Sequence, residues 1–369
     1  MALVVPGSIE RRTGGYLYAR RLVGHLRARG DRVRVVSVPA AGGVARLAAN
    51  LSHRLLATLA DPEVDVVVED GLAHPSLVLA GRRLGRRGGP PRVALVHLLR
   101  ADERRPPGVG AWERWLERAY LAGVDGCVTV NPWIAERVAA ARGRPLPTLV
   151  APPGGDHAGE PLPEAAIERR AHRPGPLEVV FAGAVVPAKG LHLAAEALAR
   201  LPPDAARLTA LGRLDAAPAY VRRLRRRIRA AGLDDRVELA GEVAAERVRA
   251  RMEGAHLLAL PSRPESCAIA ALEAMACGLV PVLHADSDTA RRLTGGEATI
   301  AIREGDTGRL AETLAGLAAD RDLLARRGLA ARRRYLEHPP WSETLDRLRD
   351  FLAERAAAAP AGRRPPGPP

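Results

Sequence analysis

The chain has 369 residues, enough for two domains of ordinary size with a core each. Hydrophobic residues make up 47%, a share that fits a folded soluble protein, and aromatics are low at 3%. The net charge is +14, and almost every cation is arginine: Lys189 is the one lysine in the sequence. Three cysteines, Cys127, Cys267 and Cys277, without C-x-x-C spacing, argue against a disulfide framework and for a reducing cytosol. No apolar run approaches the roughly 18 residues of a membrane span. Neither signal peptide nor spanning helix is expected, so any membrane contact would be peripheral.

In chain order, MALVVPG reads as a buried first strand closed by Pro-Gly. SIERRTGG is a glycine-bearing loop, YLYARRLVGHLRARG has helical spacing, and DRVRVVSV is the next strand, the β-loop-α-β start of a doubly wound sheet. Gly14 and Gly15 at the loop-helix junction would let backbone N–H groups approach an anion, although a plain tight turn explains the pair equally. G-x-G-x-x-G is absent, which removes support for a dinucleotide site. Further strands are expected at 64–70, 92–99, 126–130 and 147–152. Between them, AWERWLERAYLAG predicts a helix with Trp112, Trp115, Leu116 and Tyr120 on one face. Asp70 and His97 end apolar strands, where polar side chains line the crevice of such sheets.

Residues 152–176, rich in Pro and Gly with one short helical stretch, read as a linker. The βα rhythm then restarts and runs to HLLALPS. From DTGRLAETLAGLAAD the chain is helical through Arg334. PPWSETLDRLRDFLAERA forms a last helix with Trp341, Leu345, Leu348 and Leu352 on one face, and the Ala/Pro/Gly tail is expected to be disordered. The expected organisation is an N-terminal Rossmann-like domain at 1–151, the linker, a C-terminal Rossmann-like domain at 177–335, a helix at 336–355 and a tail at 356–369.

LPSRPESCAIAALEAMACGLVPV, residues 260–282, runs strand, loop, helix, strand. Glu265 and Glu273 lie eight positions apart, a little over two helical turns, around an uncharged SCAIAAL. Spacing alone leaves two readings open: a pair of carboxylates pointing one way, or a dipole-compensating glutamate plus one on a solvent face. Asp286-Ser287-Asp288 is a D-x-D that reads as an acidic loop rather than a metal site. RRLRRRIR at 222–229 reads as the solvated face of an amphipathic helix; with aromatics scarce and no nucleic-acid motif, no nucleic-acid partner is expected. Basic surfaces such as Arg82, Arg83, Arg86 and Arg87 would suit peripheral contact with anionic lipid at the inner membrane face.

Taken together these segments resemble the retaining, nucleotide-sugar-dependent glycosyltransferases of GT-B fold that carry the E-x7-E motif. The likeness covers nearly the whole chain except the tail. PSRPESCAIAALEAMACGLVPV resembles the motif segment, FAGAVVPAKGLHLAAEAL the phosphate-binding strand and turn, APPGGD the opening of the linker, VDGCVTVN the last strand of the first domain, and TGGYLYARRLVGHLRARGDRVRVV its first loop, helix and strand. The resemblance implies two Rossmann-like domains facing each other across a cleft, with the C-terminal helix crossing back to the first. It implies transfer of a sugar from a nucleotide-diphosphate sugar to a hydroxyl acceptor by front-face displacement, without cofactor or metal. It also implies site roles: Glu265 on the donor sugar, Glu273 on the ribose, Lys189 with Gly183 and the backbone of Ser266, Cys267 and Ala268 on the diphosphate, His97 near the sugar, and Gly14 and Gly15 facing the diphosphate. The chain departs from the pattern twice: Ala184 stands where the family has an arginine, and Ser266-Cys267-Ala268 replaces Gly-Phe-Gly. The first departure makes a sugar-nucleotide-binding protein without turnover the alternative reading.

Overall fold

The computed structural model describes residues 1–11, 13–102, 107–263, 269–285, 296–303 and 305–358. The chain divides into two compact units, Met1–Pro153 joined by the chain from Pro340 on, and Gly154–Pro339.

The first unit is built on strands β1 (Ala2–Pro6), β2 (Arg34–Val38), β3 (Val67–Asp70), β4 (Arg92–Val96), β5 (Gly126–Thr129) and β6 (Thr148–Val150). They form one sheet of order β2-β1-β3-β4-β5-β6, paired in parallel throughout. Helices α1 (Gly14–Ala28), α2 (Gly43–Ala48), α3 (His53–Leu59), α4 (Val78–Arg86), α5 (Pro107–Leu121) and α6 (Pro132–Arg142) connect them. Because crossover helices cover both faces, the inner strands β1, β3, β4 and β5 are buried along their whole length, mostly with apolar residues but with Glu69, Asp70 and Arg92 among them, while the edge strands β2 and β6 are partly exposed.

The second unit repeats the scheme. Helix α7 (Glu164–Ala171) leads into strands β7 (Leu177–Ala182), β8 (Ala206–Leu211), β9 (Val237–Gly241), β10 (Leu257–Leu260), β11 (Val280–His284) and β12 (Ile300–Ile302). Their order is β12-β11-β10-β7-β8-β9, again all parallel. Helices α8 (Leu191–Leu198), α9 (Pro218–Ala230), α10 (Ala245–Gly254), α11 (Ile269–Ala276), α12 (Thr307–Ala319) and α13 (Arg321–Leu336) complete it. On α9 the buried positions are Tyr220, Val221, Leu224 and Ile228, so the arginines of 222–229 occupy the exposed face.

The stretch expected as a linker is more than a tether from Gly154 onward. Leu162 N–H donates to Ala276 O at 2.8 Å, Ile167 is fully buried, and Arg170 donates to the carbonyls of Cys277 (2.8 Å) and Gly278 (2.7 Å). Burial of an aliphatic and a hydrogen-bonded guanidinium in one short helix welds it to the second unit, an effect that Pro/Gly content alone conceals.

The last helix, α14 (Trp341–Ala357), belongs to the first unit. Trp341, Leu345, Leu348 and Leu352 are its buried stripe, as its spacing predicts. Asp346 accepts from His25 (2.8 Å) and Arg29 (2.6 Å) of α1, and Arg349 pairs with Asp31 at 2.7 Å.

Candidate active site

In an open α/β sheet, ligands bind beyond the carboxyl ends of the strands where the order reverses. In the second unit that point lies between β7 and β10. After β7 the chain turns through Gly183 (φ +149°), Ala184 and Val185 into a 3₁₀ turn, Pro187–Lys189, and Gly190 (φ +72°) opens α8. Gly183 N–H donates to Leu211 O and Val185 N–H to Arg213 O, both at 2.9 Å, which ties one side of this loop to the end of β8. On the other side Arg263 N–H donates to Ala188 O at 2.7 Å. Two glycines are required here by backbone contact. A Cβ on Gly190 would lie 2.6 Å from Pro261 O, and one on Gly212 1.9 Å from Gly183 O. Lys189 is thus held in a turn clamped between β8 and β10, at the mouth of the switch point.

Beyond β10, Glu265, Ser266, Cys267 and Ala268 lie outside the described residues, as do Asp286, Ser287 and Asp288. Helix α11 is buried at Ile269, Ala271, Leu272, Ala274, Met275 and Ala276. Glu273 is the only charged residue of this helix and its side chain is one-third exposed. Its Oε1 sits 3.2 Å from His157 Nε2, and the other ring nitrogen of His157 is 3.1 Å from Gly154 O. A carboxylate fixed from behind in this way, with an edge open toward solvent, is suited to accept from a vicinal diol. His157 escapes a reading of the sequence because it lies in the Gly-Gly-Asp-His stretch that composition assigns to a linker. Gly155 holds this stretch in place: its N–H donates to Pro339 O, its carbonyl accepts from Tyr335 Oη at 3.0 Å, and a Cβ there would lie 2.9 Å from the Tyr335 ring.

In the first unit the order reverses between β1 and β3, and His97 stands just beyond β4. α1 begins at Gly14 and Gly15, and among the described residues the side chain of its N-cap Thr13 does not cap the first-turn N–H groups. A Cβ built on Gly15 would lie 3.4 Å from Cδ2 of His97 and 3.6 Å from its Nε2, so the helix start lies against the imidazole. Tyr18 packs edge-on to the same ring at 5.2 Å and to Trp341 at 5.1 Å, and its hydroxyl donates to Ala151 O at 3.0 Å. His97 therefore has a fixed orientation. Both of its ring nitrogens are buried and lack a hydrogen-bond partner among the described residues. Burial lowers its pKa to about 4, so the ring is neutral at pH 7 and offers one donor and one acceptor to a ligand. Asp70, the other strand-end candidate, serves its own turn instead. Its Oδ1 accepts from Leu72 N–H at 2.8 Å, and burial raises its pKa to about 6.

The expected face of α5 is divided. Leu116 and Tyr120 are buried, whereas Trp112 and Trp115 are exposed and stacked on each other with centroids 5.0 Å apart. The two halves differ by about one helical position in angle, and the helix turns the larger rings outward.

Residues 164–334 match the family model "Glycosyl transferases group 1". The chain is 31% identical over 259 residues to a D-inositol 3-phosphate glycosyltransferase of Xylanimonas cellulosilytica, covering 66% of this chain and 60% of the relative. It is 30% identical over 249 residues to a GDP-mannose-dependent alpha-(1-6)-phosphatidylinositol monomannoside mannosyltransferase of Mycobacterium tuberculosis, covering 64% and 63%. The chain thus spans somewhat less than two thirds of each of these relatives. The structure superimposes on sucrose-phosphate synthase from Thermosynechococcus elongatus with a TM-score of 0.82 at 18% identity, over 97% of this chain and 99% of that one. The fold is GT-B, two parallel α/β sheets with flanking helices. Over residues 164–334 the chain is similar to the group 1 glycosyltransferases.

Proposed function

We propose that the chain is a retaining glycosyltransferase that moves a sugar from a nucleotide-diphosphate sugar to a hydroxyl acceptor without a metal. The observation that carries this reading is the clamped turn around Lys189 at the switch point of a sheet whose sequence matches the family model, with the carboxylate of α11 held by His157 in the same unit. Lys189 and the N–H groups opening α8 face the charge that grows on the departing diphosphate, an interaction that strengthens toward the transition state. Glu273, backed by His157, takes the ribose hydroxyls, and Glu265 is assigned to the sugar by the motif. His97, neutral and unpartnered among the described residues, is the hydrogen-bonding group of the first unit for the transferred sugar. In a front-face displacement the leaving phosphate oxygen accepts the acceptor's proton, so no side-chain base is needed. The names of the two relatives, one using GDP-mannose, support a nucleotide sugar as donor.

Ala184 favours a second reading, binding of a sugar nucleotide without turnover. Arg263 is the arginine we assign to part of that gap, because its N–H donates to Ala188 O of the lysine turn.

The test has two arms. UDP-glucose and GDP-mannose are screened by thermal shift, since a bound donor raises the melting temperature by mass action. Release of nucleotide in the presence of hydroxyl acceptors is then compared between wild type and Lys189→Ala, with circular dichroism as the folding control. The expected loss for Lys189→Ala is on the order of 10²–10³ in turnover. A melting shift without turnover selects the second reading; no shift with any nucleotide sugar, or near-wild-type rates in the variant, ends the first.

A further inference from the structure

The exposed large apolar side chains of the first unit are not scattered. Helix α2 has no buried residue, and Val44, Leu47 and Leu51 repeat at a helical spacing along α2 and the 3₁₀ turn that follows it, exposed at 84%, 41% and 58%. A stripe of this kind ordinarily faces a core; here it faces solvent. A second stripe lies on α5, where Val109 and the stacked Trp112–Trp115 pair are about half exposed. Leu72, in the 3₁₀ turn Gly71–Ser76, is exposed as well.

Buried contacts tie these elements to one another. Asn50 donates to Pro75 O at 2.7 Å and accepts from Leu79 N–H at 2.8 Å, tying the α2 stripe to the Gly71–Ser76 turn and to the start of α4. His74 of that turn lies 3.7 Å from Glu113 of α5.

Charge is segregated in the same region. Residues 41–60 and 71–101 contain no Asp or Glu at all. On α5 the two acids, Glu113 and Glu117, are buried, while Arg114 and Arg118 are exposed. Helix α4 and its C-cap add Arg82, Arg83, Arg86 and Arg87, all exposed. What this surface offers to a partner is apolar or basic. A paired tryptophan and an aliphatic stripe, in a region whose exposed charges are arginines, are complementary to an anionic lipid surface: the rings enter the headgroup layer and the guanidiniums meet the phosphates.

α2 follows the carboxyl end of β2, the Gly71–Ser76 turn follows β3, and α5 follows β4, so all three stand at the edge of the sheet that also carries His97. We propose that this face of the first unit docks on anionic membranes through Val44, Leu47, Trp112 and Trp115, with the arginines of α4 as the electrostatic component. Membrane docking is independent of the catalytic reading, because none of these residues belongs to the candidate site.

The experiment is co-sedimentation of the full chain with vesicles of phosphatidylcholine alone or with added phosphatidylglycerol, at low and high salt, together with tryptophan emission. Wild type is expected to bind only the anionic vesicles, with a blue-shifted emission and weaker binding in salt. Arg82→Gln/Arg86→Gln/Arg87→Gln is expected to weaken partition roughly a hundredfold, at about 1 kcal/mol per arginine. Trp112→Ser/Trp115→Ser is expected to cost about tenfold and to abolish the blue shift. Both variants change exposed side chains, and their melting curves should match wild type. Absence of binding to anionic vesicles, or binding unchanged in both variants, overturns the proposal. So does a wild type that sediments as a dimer while the tryptophan variant is a monomer, since a second copy would then be the occupant.

Discussion

The two units cover both faces of a parallel sheet, but they place different chemistry inside. In the first, Arg92 at the start of β4 makes two hydrogen bonds to Glu69 of β3, at 2.7 and 2.8 Å, with both side chains buried. Asp70, His97 and the His74–Glu113 pair are further titratable groups in the interior or at its rim. In the second, β10 is aliphatic throughout, and the tight contacts are between backbones: Gly190 on Pro261, Gly212 on Gly183, Gly328 on Gly278. The first unit buries an ion pair between side chains, whereas the second sets its buried guanidinium, Arg170, on backbone carbonyls and closes its turns on missing Cβ atoms.

This difference decides what could be read in advance. Gly183, Lys189 and the segment around Glu273 are located together by the family resemblance, since spacing alone leaves the glutamate pair open, and the structure holds Gly183 and Lys189 in one clamped turn. The strand rhythm and the C-terminal helix were legible for a physical reason: buried parallel strands and an amphipathic stripe each impose a period on the chain. His97 was legible only as a polar residue ending an apolar run, because its value lies in Gly15 and Tyr18, neighbours about 80 residues away in sequence. His157 was not legible at all. A partner 116 residues distant gives it its role, and local composition says linker. The outward turn of Trp112 and Trp115 failed to show because Leu116 and Tyr120 share their approximate spacing, and periodicity does not state which half of an apolar arc meets the core.

The sharpest way to break the comparison is at the buried pair. Arg92→Ala leaves Glu69 without its partner in an interior position, and the expected loss of stability is about 3–5 kcal/mol in denaturant unfolding. Replacing both groups, Glu69→Leu with Arg92→Met, should recover most of it, since the charge that had to be desolvated is gone. If Arg92→Ala is nearly neutral, the first unit does not depend on internal charge and the contrast with the second fails.

A middle-sized effect belongs to His97. Its pKa is lowered to about 4 by burial, against an ordinary value of 6.5. A base that resists protonation only when folded contributes fully above pH 6.5, and that contribution is lost as pH falls toward 4, because the unfolded chain takes up the proton first. The stability difference between wild type and His97→Gln should therefore be flat above pH 6.5 and shift against wild type by about 2 kcal/mol by pH 4, a discounted figure because the residue is partly exposed. Asp70, with its pKa raised to about 6 by burial, runs the opposite way, losing its contribution as pH rises from 4 to 6, and both proteins retain it. A wild-type-minus-variant difference independent of pH would show that His97 titrates like a solvated imidazole.

The smallest effect is at His157. Its bond to Glu273 spans 3.2 Å and the carboxylate is one-third exposed, so solvent already shares in orienting it. His157→Ala is expected to weaken nucleotide binding by about three- to tenfold, the range of one modest hydrogen bond to a charged group. Turnover at saturating donor should change little, because Glu273 is assigned to the ribose and not to the reacting centre. His157→Gln, which can still donate to the carboxylate, should recover part of the loss, whereas a purely packing role would leave the two variants alike. Isothermal titration with UDP and GDP against the three proteins separates these outcomes, and equal affinity across all three removes His157 from the site.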